Sequence, residues 1–454
     1  MAKSPHILIV GGGYVGMYTA FRLQKKLLGG LNRARATITV VDPQSHMTYQ
    51  PFLPEAAAGS VEPRHVVVAL RRVLRRCRII TGVVTGIEHT RRTATVQPIE
   101  GEPYELPYDV LVVAPGSVAR TLPIPGLAEQ GIGFKNIGEA IYLRNRVLSR
   151  LDLAASTPDG PRRRKALTFC LIGGGYAGIE LLGELEDMAR YACRYYPEVR
   201  PDELRWVLVE AANRILPEVS LPMGDYTVRQ LLRRGIDVRL NTRVESLVGG
   251  HVVLSDGEEF DSETIVWTAG VKPHPMLANT DLPRDDKGRV VCDATLAVRG
   301  LDGVWSAGDC AAVPDLSKKE DPNALTGPSA QHAVRQAKRL ADNILRSLRG
   351  QQPKDYVHAY VGSVASLGLH KGVAEVYGIK LRGWPAWFMH RTYHVSRMPT
   401  FNRKVRVVAD WTLALFFRRE VVALGQLQQP RRDFEQVARP QEQPQPAQRL
   451  PAGA

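Results

Sequence analysis

The sequence contains two glycine-rich loops that are suited to binding phosphate groups. Each follows a short apolar run and precedes a helix-like segment, and the loops GGGYVG and GGGYAG are nearly identical. In a G-x-G-x-x-G turn the first glycine makes the tight turn, the second lets the backbone approach a pyrophosphate, and the third lets helix and strand pack closely. The pattern falls on Gly11, Gly13 and Gly16, and again on Gly173, Gly175 and Gly178. We therefore predict two dinucleotide sites, each at the positive end of a helix dipole.

An acidic residue follows each loop where the second strand of such a unit would end. Asp42 closes the run ATITVVD, and Glu210 closes the run RWVLVE. A carboxylate at this point accepts hydrogen bonds from ribose hydroxyls, although both acids lie further from their loops than the usual ~20 residues. An acid here, rather than a basic cluster, favours NADH over NADPH. A pair of unrelated glycine turns would not explain this repeated context.

Each copy continues to a later strand that ends in a glycine turn. The segment YDVLVVAPGS reaches Gly116, and DSETIVWTAGVKP reaches Gly270. A further strand, in LDGVWSAGDCA, leads into Gly308 and Asp309. A carboxylate at such a strand end can accept a hydrogen bond from a ribityl hydroxyl or from a backbone amide. The chain therefore repeats the order of strand, loop, helix, acid and closing strand.

This repeat predicts an α/β fold with two Rossmann-like dinucleotide-binding domains. Residues 327–348 add a helix with one apolar face, and after about residue 350 the composition shifts towards Trp, Phe, His and Arg. The end of the chain is rich in Pro and Gln, which is typical of disorder. The predicted parts are a discontinuous first domain of residues 1–122 and 275–348, a second domain of 123–274, a C-terminal region of 349–425 and a disordered tail of 426–454.

Composition limits the class of protein. The 454 residues are 44% hydrophobic and 23% charged, as expected for a folded protein of two or three domains. Five scattered cysteines without C-x-x-C or metal-ligand spacing indicate a reducing compartment. The net charge is +14, with basic runs RRVLRRCR and PRRRK. These runs fit a solvated surface, an anionic membrane surface or nucleic acid. No nucleic-acid-binding motif is present, so nucleic acid is not expected as a partner.

Neither a signal peptide nor a transmembrane helix is expected. The apolar run at residues 7–10 is the first strand and no cleavage site follows it. No window contains the ~18 apolar residues that a membrane-spanning helix needs.

In this order, the motifs resemble the flavoproteins with two dinucleotide-binding domains, the glutathione-reductase-like group. Within that group the chain is most similar to the type II NADH dehydrogenases, which are single-chain NADH:quinone oxidoreductases. The resemblance covers about residues 5–425. Beyond the loops, it rests on MTYQPFLPEAAAGSVEP (47–63), GGGYAGIELLGELED (173–187), SAQHAVRQA (329–337), and LRGWPAWFMHRTYHV with FNRKVRVVADWTLALFFRRE (381–420).

The resemblance implies FAD on the first loop and NADH on the second. It places Gln50 in the segment beside the flavin ring and Asp309 where the chain returns to the flavin. It also implies that Glu180, just after the second loop, contacts the nicotinamide ribose or amide or takes part in proton transfer. The alternative is a carboxylate that only interacts with the positive end of its helix, worth about 0.3–1 kcal/mol.

The resemblance also implies a quinone site at the start of the helix in residues 327–348. The family motif AQxAxQ begins at Ala330 and Gln331. The family usually has glutamine four residues after the first, but here Arg335 holds that position and Gln336 follows it. The implied quinone contacts are therefore Gln331, Arg335 and Gln336, with Ala330 at the helix start near the flavin. An exposed first-turn residue is the alternative for Gln331.

Residues 381–420 resemble the family's membrane-binding region. Val408, Trp411 and Leu415 share a helical stripe, and Lys404, Arg406, Arg418 and Arg419 lie on either side of it. A basic amphipathic helix with Trp and Phe suits a membrane interface, and we expect a peripheral protein on the cytoplasmic side of the cell membrane. The alternative is a helix packed on the protein body or at the interface of a homodimer.

These features together predict an NADH:quinone oxidoreductase that does not pump protons. Hydride would pass from NADH to FAD, and two electrons would then pass to a membrane quinone. One alternative is a soluble NADH-dependent reductase of a protein or small-molecule acceptor, and another is a flavin-binding interaction protein. A disulfide reductase is disfavoured, because the first 120 residues hold the single cysteine Cys77 rather than a Cys-x4-Cys pair.

Overall fold

The computed structural model describes residues 4–27, 36–321, 323–358, 362–417 and 419–424. The predicted disordered tail of 426–454 and Arg418 lie outside these residues. Strands and helices are numbered in chain order.

The first unit starts with the predicted strand, glycine loop and helix. Its elements are β1 (His6–Val10), α1 (Tyr14–Leu27), β2 (Thr37–Asp42), β3 (His46–Thr48), α2 (Leu53–Ala57), β4 (Val67–Ala69), α3 (Leu70–Val73), β5 (Arg78–Glu88), β6 (Thr93–Pro98), β7 (Tyr104–Pro107), β8 (Val110–Val113) and β9 (Ser117–Ala119).

The second unit contains the second glycine loop, between β11 and α7. Its elements are α4 (Leu127–Gln130), β10 (Gly131–Gly133), α5 (Ile137–Ala155), α6 (Pro161–Ala166), β11 (Thr168–Ile172), α7 (Tyr176–Ala192), β12 (Arg205–Val209), α8 (Leu221–Arg233), β13 (Asp237–Arg239), β14 (Val244–Ser246), β15 (His251–Leu254), β16 (Glu259–Asp261), β17 (Thr264–Trp267) and β18 (Val271–Pro273).

The remaining elements return to the first sheet and then form the C-terminal region. They are β19 (Val290–Val291), β20 (Val304–Ser306), β21 (Ala311–Ala312), α9 (Ala330–Ser347), β22 (Gly362–Ser366), β23 (Gly372–Val376), β24 (Ile379–Arg382), α10 (Trp384–Arg397) and α11 (Phe401–Phe416).

The two main sheets repeat one arrangement of parallel strands. The first has the order β20-β8-β1-β2-β5-β6-β7, in which the strands from β20 to β5 are parallel and β6 and β7 are added antiparallel. The second has the order β10-β17-β11-β12-β13 and is parallel throughout. In each, the strand before the glycine loop is central and pairs in parallel with the strand that ends in the acid. Their apolar runs are buried, as expected for parallel strands covered on both faces. The predicted α/β fold with two Rossmann-like units is confirmed.

Strand register places each acid beside its loop. Val10 of β1 lies opposite Val41, the residue before Asp42. Ile172 of β11 lies opposite Val209, the residue before Glu210. Because parallel strands end at the same edge of a sheet, each glycine turn and its carboxylate meet there.

The predicted helix at residues 327–348 is α9. Ser329 is its N-cap and accepts a hydrogen bond from the Gln331 N–H at 3.1 Å. The apolar residues Ala337, Leu340 and Ile344 are fully buried against the body of the protein, whereas Leu348 beyond the helix is exposed.

The C-terminal region packs closely against helix α7. A Cβ atom added at Gly183 would lie 2.5 Å from the carbonyl carbon of Leu367 and 2.8 Å from the Gly368 nitrogen. These are backbone atoms of the turn between β22 and β23, which cannot move aside as a flexible side chain would. A glycine in the middle of α7 therefore lets the C-terminal sheet approach the helix.

We predict that Gly183→Ala destabilises the protein, by about 1–3 kcal/mol, because the added methyl group overlaps backbone atoms. The matched control is Gly224→Ala in α8, where an added Cβ would lie 3.4 Å from its nearest neighbour, the Ile215 carbonyl oxygen. That change should be neutral or should stabilise by roughly 0.5–1 kcal/mol through helix propensity. Chemical denaturation measures both, and equal effects would contradict the close approach.

Candidate active site

The first glycine loop leaves space for a ligand at one of its glycines, whereas the other two glycines pack against protein backbone. Gly11 has φ +98°, and a Cβ there would overlap the Ala114 carbonyl oxygen. A Cβ at Gly16 would overlap the carbonyl oxygen of Gly11. At Gly13, by contrast, no atom of the described chain lies within 4 Å of an added Cβ. The loop therefore leaves open space where a pyrophosphate would approach the backbone.

The second loop repeats this geometry. Gly173 has φ +113° and lies against Thr268, and a Cβ at Gly178 would overlap the carbonyl oxygen of Gly173. Gly175 corresponds to Gly13, since nothing in the described chain lies within 4 Å of its added Cβ. Both loops thus fit a dinucleotide in the same way.

The two acids also make matching contacts. Asp42 accepts hydrogen bonds from the Gly12 N–H at 2.6 Å and the Gln44 N–H at 2.7 Å. Glu210 accepts from the Gly174 N–H at 2.5 Å and the Ala212 N–H at 2.8 Å. Burial raises the pKa of Asp42, and its two amide donors partly offset that rise. Each carboxylate fixes the middle of its loop, and its remaining lone pairs can accept from ribose hydroxyls.

A cluster of polar groups lies beyond the first loop, at the ends of β8 and β20. Asp309 accepts a hydrogen bond from the Ser117 hydroxyl at 2.6 Å, and Lys135 donates to the Ser117 carbonyl oxygen at 2.6 Å. Gln50 donates to the Lys135 carbonyl oxygen at 3.2 Å. Burial lowers the pKa of Lys135, while Asp309 and Glu139 act in the opposite direction. The predicted residues Gln50 and Asp309 are therefore linked through Lys135 and Ser117. No sequence motif indicates this role of Lys135.

Two predicted glycines occupy turns with positive φ at the ends of closing strands. Gly116 has φ +72° and Gly270 has φ +90°, and no described atom lies within 4 Å of a Cβ added to either. Gly308, with φ +79°, lies close to Val15 of α1. These turns keep the space beside the loops free of side chains.

The three residues suggested for quinone contact do not share one environment. Gln331 donates to the Gly362 carbonyl oxygen at 3.1 Å. A guanidinium nitrogen of Arg335 lies 3.2 Å from both ring nitrogens of His358. Burial, His332 and Arg335 lower the pKa of His358 to about 4, so its ring is neutral beside the arginine at pH 7. Gln331 and Arg335 lie on one face of α9, whose first residue is Ala330.

The assignment of Gln336 to a quinone contact is corrected. Its side chain is fully buried, accepts from the Gly308 N–H at 2.8 Å and donates to the Thr326 hydroxyl at 3.2 Å. The reason is helical phase: at about 100° per residue, Arg335 points within roughly 40° of Gln331, but Gln336 points about 140° away. Gln336 therefore braces the turn that carries Asp309.

Glu180 faces the C-terminal region rather than open solvent. It lies in the second turn of α7 and is buried. Its Oε1 accepts from the Ser366 N–H at 3.0 Å and lies 3.0 Å from Nε2 of His390 in α10. An interaction with the helix dipole alone does not explain this arrangement. A charged partner for Glu180 more than two hundred residues away left no signal in the sequence.

Two more buried carboxylates are paired in the same way. Glu55 of α2 accepts from Arg391 at 3.0 Å and from the indole N–H of Trp411 at 2.7 Å. Glu184, one turn after Glu180, lies 3.3 Å from Arg419. Burial raises the pKa of Glu184 and Arg419 opposes that rise. All these partners belong to the C-terminal region, so the carboxylates fasten that region to α2 and α7.

These contacts correct the expected orientation of α11. Trp411 and Arg419 face the protein body, and Asp410 accepts from the Glu62 N–H at 3.1 Å and lies 2.6 Å from His65. Polar partners on α2, on the segment after α2 and, for Arg419, on α7 hold these residues inward.

The opposite side of α11 is apolar and exposed. It carries Phe401, Val405, Val408, Leu415 and Phe416, and Phe401, Leu415 and Phe416 are 81%, 76% and 77% exposed. On α10, Trp384 and Phe388 are exposed and stacked. Among the described helices, none is both long enough and apolar enough to cross a membrane.

The fold and its two matching cradles define a class of protein that binds two dinucleotides in one chain. Residues 5–337 match the pyridine nucleotide-disulphide oxidoreductase family, and the chain belongs to that family.

Relatives of this chain include a probable NADH dehydrogenase of Dictyostelium discoideum, 29% identical over 426 residues that cover 92% of this chain and 91% of the relative. A type II NADH:quinone oxidoreductase of Staphylococcus aureus is 29% identical over 392 residues, covering 85% and 93%. The fold matches NDH2 of Plasmodium falciparum in complex with NADH, with TM-score 0.84, 17% identity, and coverage of 92% of this chain and all of that one. The resemblance to type II NADH dehydrogenases is confirmed.

We predict that His390 makes stability depend on pH. Burial lowers the pKa of His390, but Glu180, with Glu55, outweighs burial and the opposing Arg391, so the pKa is raised above 6.5. The neighbouring His394 does not supply a competing charge, because burial and His390 lower its pKa well below 6.5. A raised native pKa gives stability that is complete below about pH 6.5 and is lost as the pH rises through the native value.

Thermal denaturation across that range should show the melting temperature of the wild type falling with pH more steeply than that of His390→Gln. The control is His251→Gln in β15. Asp261 and Glu259 also raise the pKa of His251, but solvent screens these exposed pairs, so this variant should flatten the profile less than His390→Gln. A His390→Gln profile parallel to that of the wild type would contradict a protonated His390.

Proposed function

We propose that this protein is an NADH:quinone oxidoreductase that does not pump protons, with FAD on the first loop and NADH on the second. The observation that carries the proposal is the pair of matching cradles, each with open space at its middle glycine and an acid bound to its backbone. Quinone is proposed as the two-electron acceptor because one of the relatives is named a type II NADH:quinone oxidoreductase.

FAD held by Gly11, Gly13, Gly16 and Asp42 would supply the hydride-accepting and electron-transferring chemistry between NADH and the quinone. The protein orients both dinucleotides through the glycine loops, Asp42 and Glu210. Ser117, Lys135 and Asp309 form a polar group at the flavin end of the first cradle. Lys135 supplies positive charge there, which favours added electrons on a neighbouring group.

Reduction of a quinone to a quinol also requires two protons. Glu180 and His390 are a buried acid–base pair whose Oε1 and Nε2 atoms lie 3.0 Å apart. Such a pair can hold a proton away from bulk water and release it towards an acceptor. Gln331 and Arg335 lie on one face of α9 and are the residues we assign to quinone contact.

We also propose that the exposed side of α10 and α11 binds the membrane surface from which the quinone enters. The large apolar residues on this side are accompanied in the sequence by Lys404, whereas a guanidinium nitrogen of Arg406 lies 3.3 Å from His65. An interfacial helix has this composition, and it needs no membrane-spanning segment. The cytoplasmic side is proposed because it supplies NADH and is reducing, and the five cysteines of the chain are free.

The proposal is tested by two half-reactions followed by flavin absorbance. Under anaerobic conditions NADH should bleach the flavin, and a water-soluble quinone should restore it. Glu180→Gln should slow quinone-driven reoxidation by about 10²-fold or more, because the neutral amide cannot exchange a proton. Glu129→Gln, which alters an exposed carboxyl of α4, is the matched control.

Flavin that NADH does not bleach would contradict the proposed activity. Flavin that NADH bleaches but that quinone does not reoxidise would show that the acceptor is not a quinone. Unchanged reoxidation in Glu180→Gln would reject the proton role of that residue while leaving the activity intact.

A further inference from the structure

The basic run RRVLRRCR forms one wall of a cavity that the proposed reaction does not use. The cavity has a volume of about 460 Å³ and lies between α1, the segment from β4 to Arg76, and the start of α11. Its apolar floor is made by Phe21, Val68 and Val73. Its polar lining includes Lys25, Arg72, Arg75, Arg76 and Arg403.

The charge of this cavity is one-sided. Among the described residues that line it, none is acidic. Burial lowers the pKa of Arg403, and the nearby Arg406 and Arg72 lower it further. Those guanidinium groups therefore repel one another, and an anion placed among them would relieve the repulsion.

The basic wall is held in place by buried contacts. Leu70 and Leu74 are buried, which turns the arginines between and after them towards solvent. Gln24 of α1 donates to the Val73 carbonyl oxygen at 2.7 Å and accepts from the Arg76 N–H at 3.3 Å. Because the backbone is fixed, binding an anion would order the arginine side chains but not the chain segment that carries them.

The cavity lies next to the proposed membrane-binding side. Its lining includes Pro399, Thr400, Asn402 and Arg403, which flank Phe401 in the chain. Phe401 is the first and most exposed apolar residue of α11. An amphiphile whose tail lies beside α11 would therefore have its headgroup at the arginines. The apolar floor of the cavity suits the acyl chains of such a molecule, and the basic rim suits its anionic headgroup.

We infer that this cavity binds the headgroup of an anionic phospholipid, with Arg72, Arg75 and Arg403 around the phosphate. The inference rests on the proposed binding of α10 and α11 to a membrane and adds the class of lipid that this membrane surface must present. Inorganic phosphate shares the chemistry of the headgroup but lacks the acyl chains that the apolar floor and α11 would contact.

The test is co-sedimentation of the full-length, flavin-loaded protein with two kinds of vesicle. One is phosphatidylcholine alone, and the other contains about one third phosphatidylglycerol. The wild type should bind the anionic vesicles more tightly, by on the order of tenfold or more. Arg72→Gln/Arg75→Gln should keep binding to neutral vesicles and lose most of that gain.

The matched control is Arg162→Gln/Arg164→Gln, which removes two exposed arginines from the other basic run, PRRRK. It has the same change in net charge and should keep the gain. Equal loss in both double variants would show that only the overall charge matters and would overturn the inference. Absence of any gain in the wild type would overturn it as well.

Two further measurements distinguish a failure of this inference from a failure of the membrane-binding proposal on which it rests. Phe401→Ser/Phe416→Ser should lose binding to both kinds of vesicle, and a wild type that binds neither would reject the membrane proposal together with this inference. Inorganic phosphate should reduce the anionic gain no more than chloride of equal ionic strength. A stronger effect of phosphate would show that the cavity takes the free ion rather than the lipid.

Discussion

Three carboxylates are buried where the nucleotide-binding units meet the C-terminal region, and their need for partners governs much of the structure. Glu55, Glu180 and Glu184 come from α2 and α7, and their charged partners come from α10 and the segment after α11. Removing one partner from a buried ion pair costs about 3–5 kcal/mol, because a charge is left without compensation. Separation of the C-terminal region from α7 would therefore leave these carboxylates without their charged partners.

This constraint gives α11 two distinct sides. Trp411 and Asp410 face Glu55, His65 and the backbone after α2, so they hold the helix to the protein. The apolar stripe from Phe401 to Phe416 is left on the opposite side. Because α7 also begins at the second glycine loop, the same helix joins that loop, through Glu180 and Glu184, to the C-terminal region.

Local features were predictable from the sequence, whereas pairings between distant segments were not. The loops, Asp42, Glu210 and the capped helix α9 follow from short patterns with a steric or electrostatic reason. The place of Gln336 could also have been predicted, because helical phase turns it away from Gln331. Lys135 and His390 have no local signature, since each gains its role from a residue brought near by the fold. For Trp411 the sequence predicts the exposed side of α11, which is wrong, because a helical stripe does not reveal that the indole N–H donates to the buried carboxylate of Glu55.

The central claim is that buried carboxylates hold the C-terminal region in place, and a double-mutant cycle between Glu55 and Arg391 tests it most directly. Hydrogen exchange of the α11 amides measures the opening free energy in Glu55→Gln, Arg391→Gln and the double variant. Each single change should lower that free energy by about 3 kcal/mol, and the double change should lower it by no more than the larger single effect. Amides of α1 should be unaffected. Single effects that add in the double variant, or α11 exchange that does not change, would contradict the account.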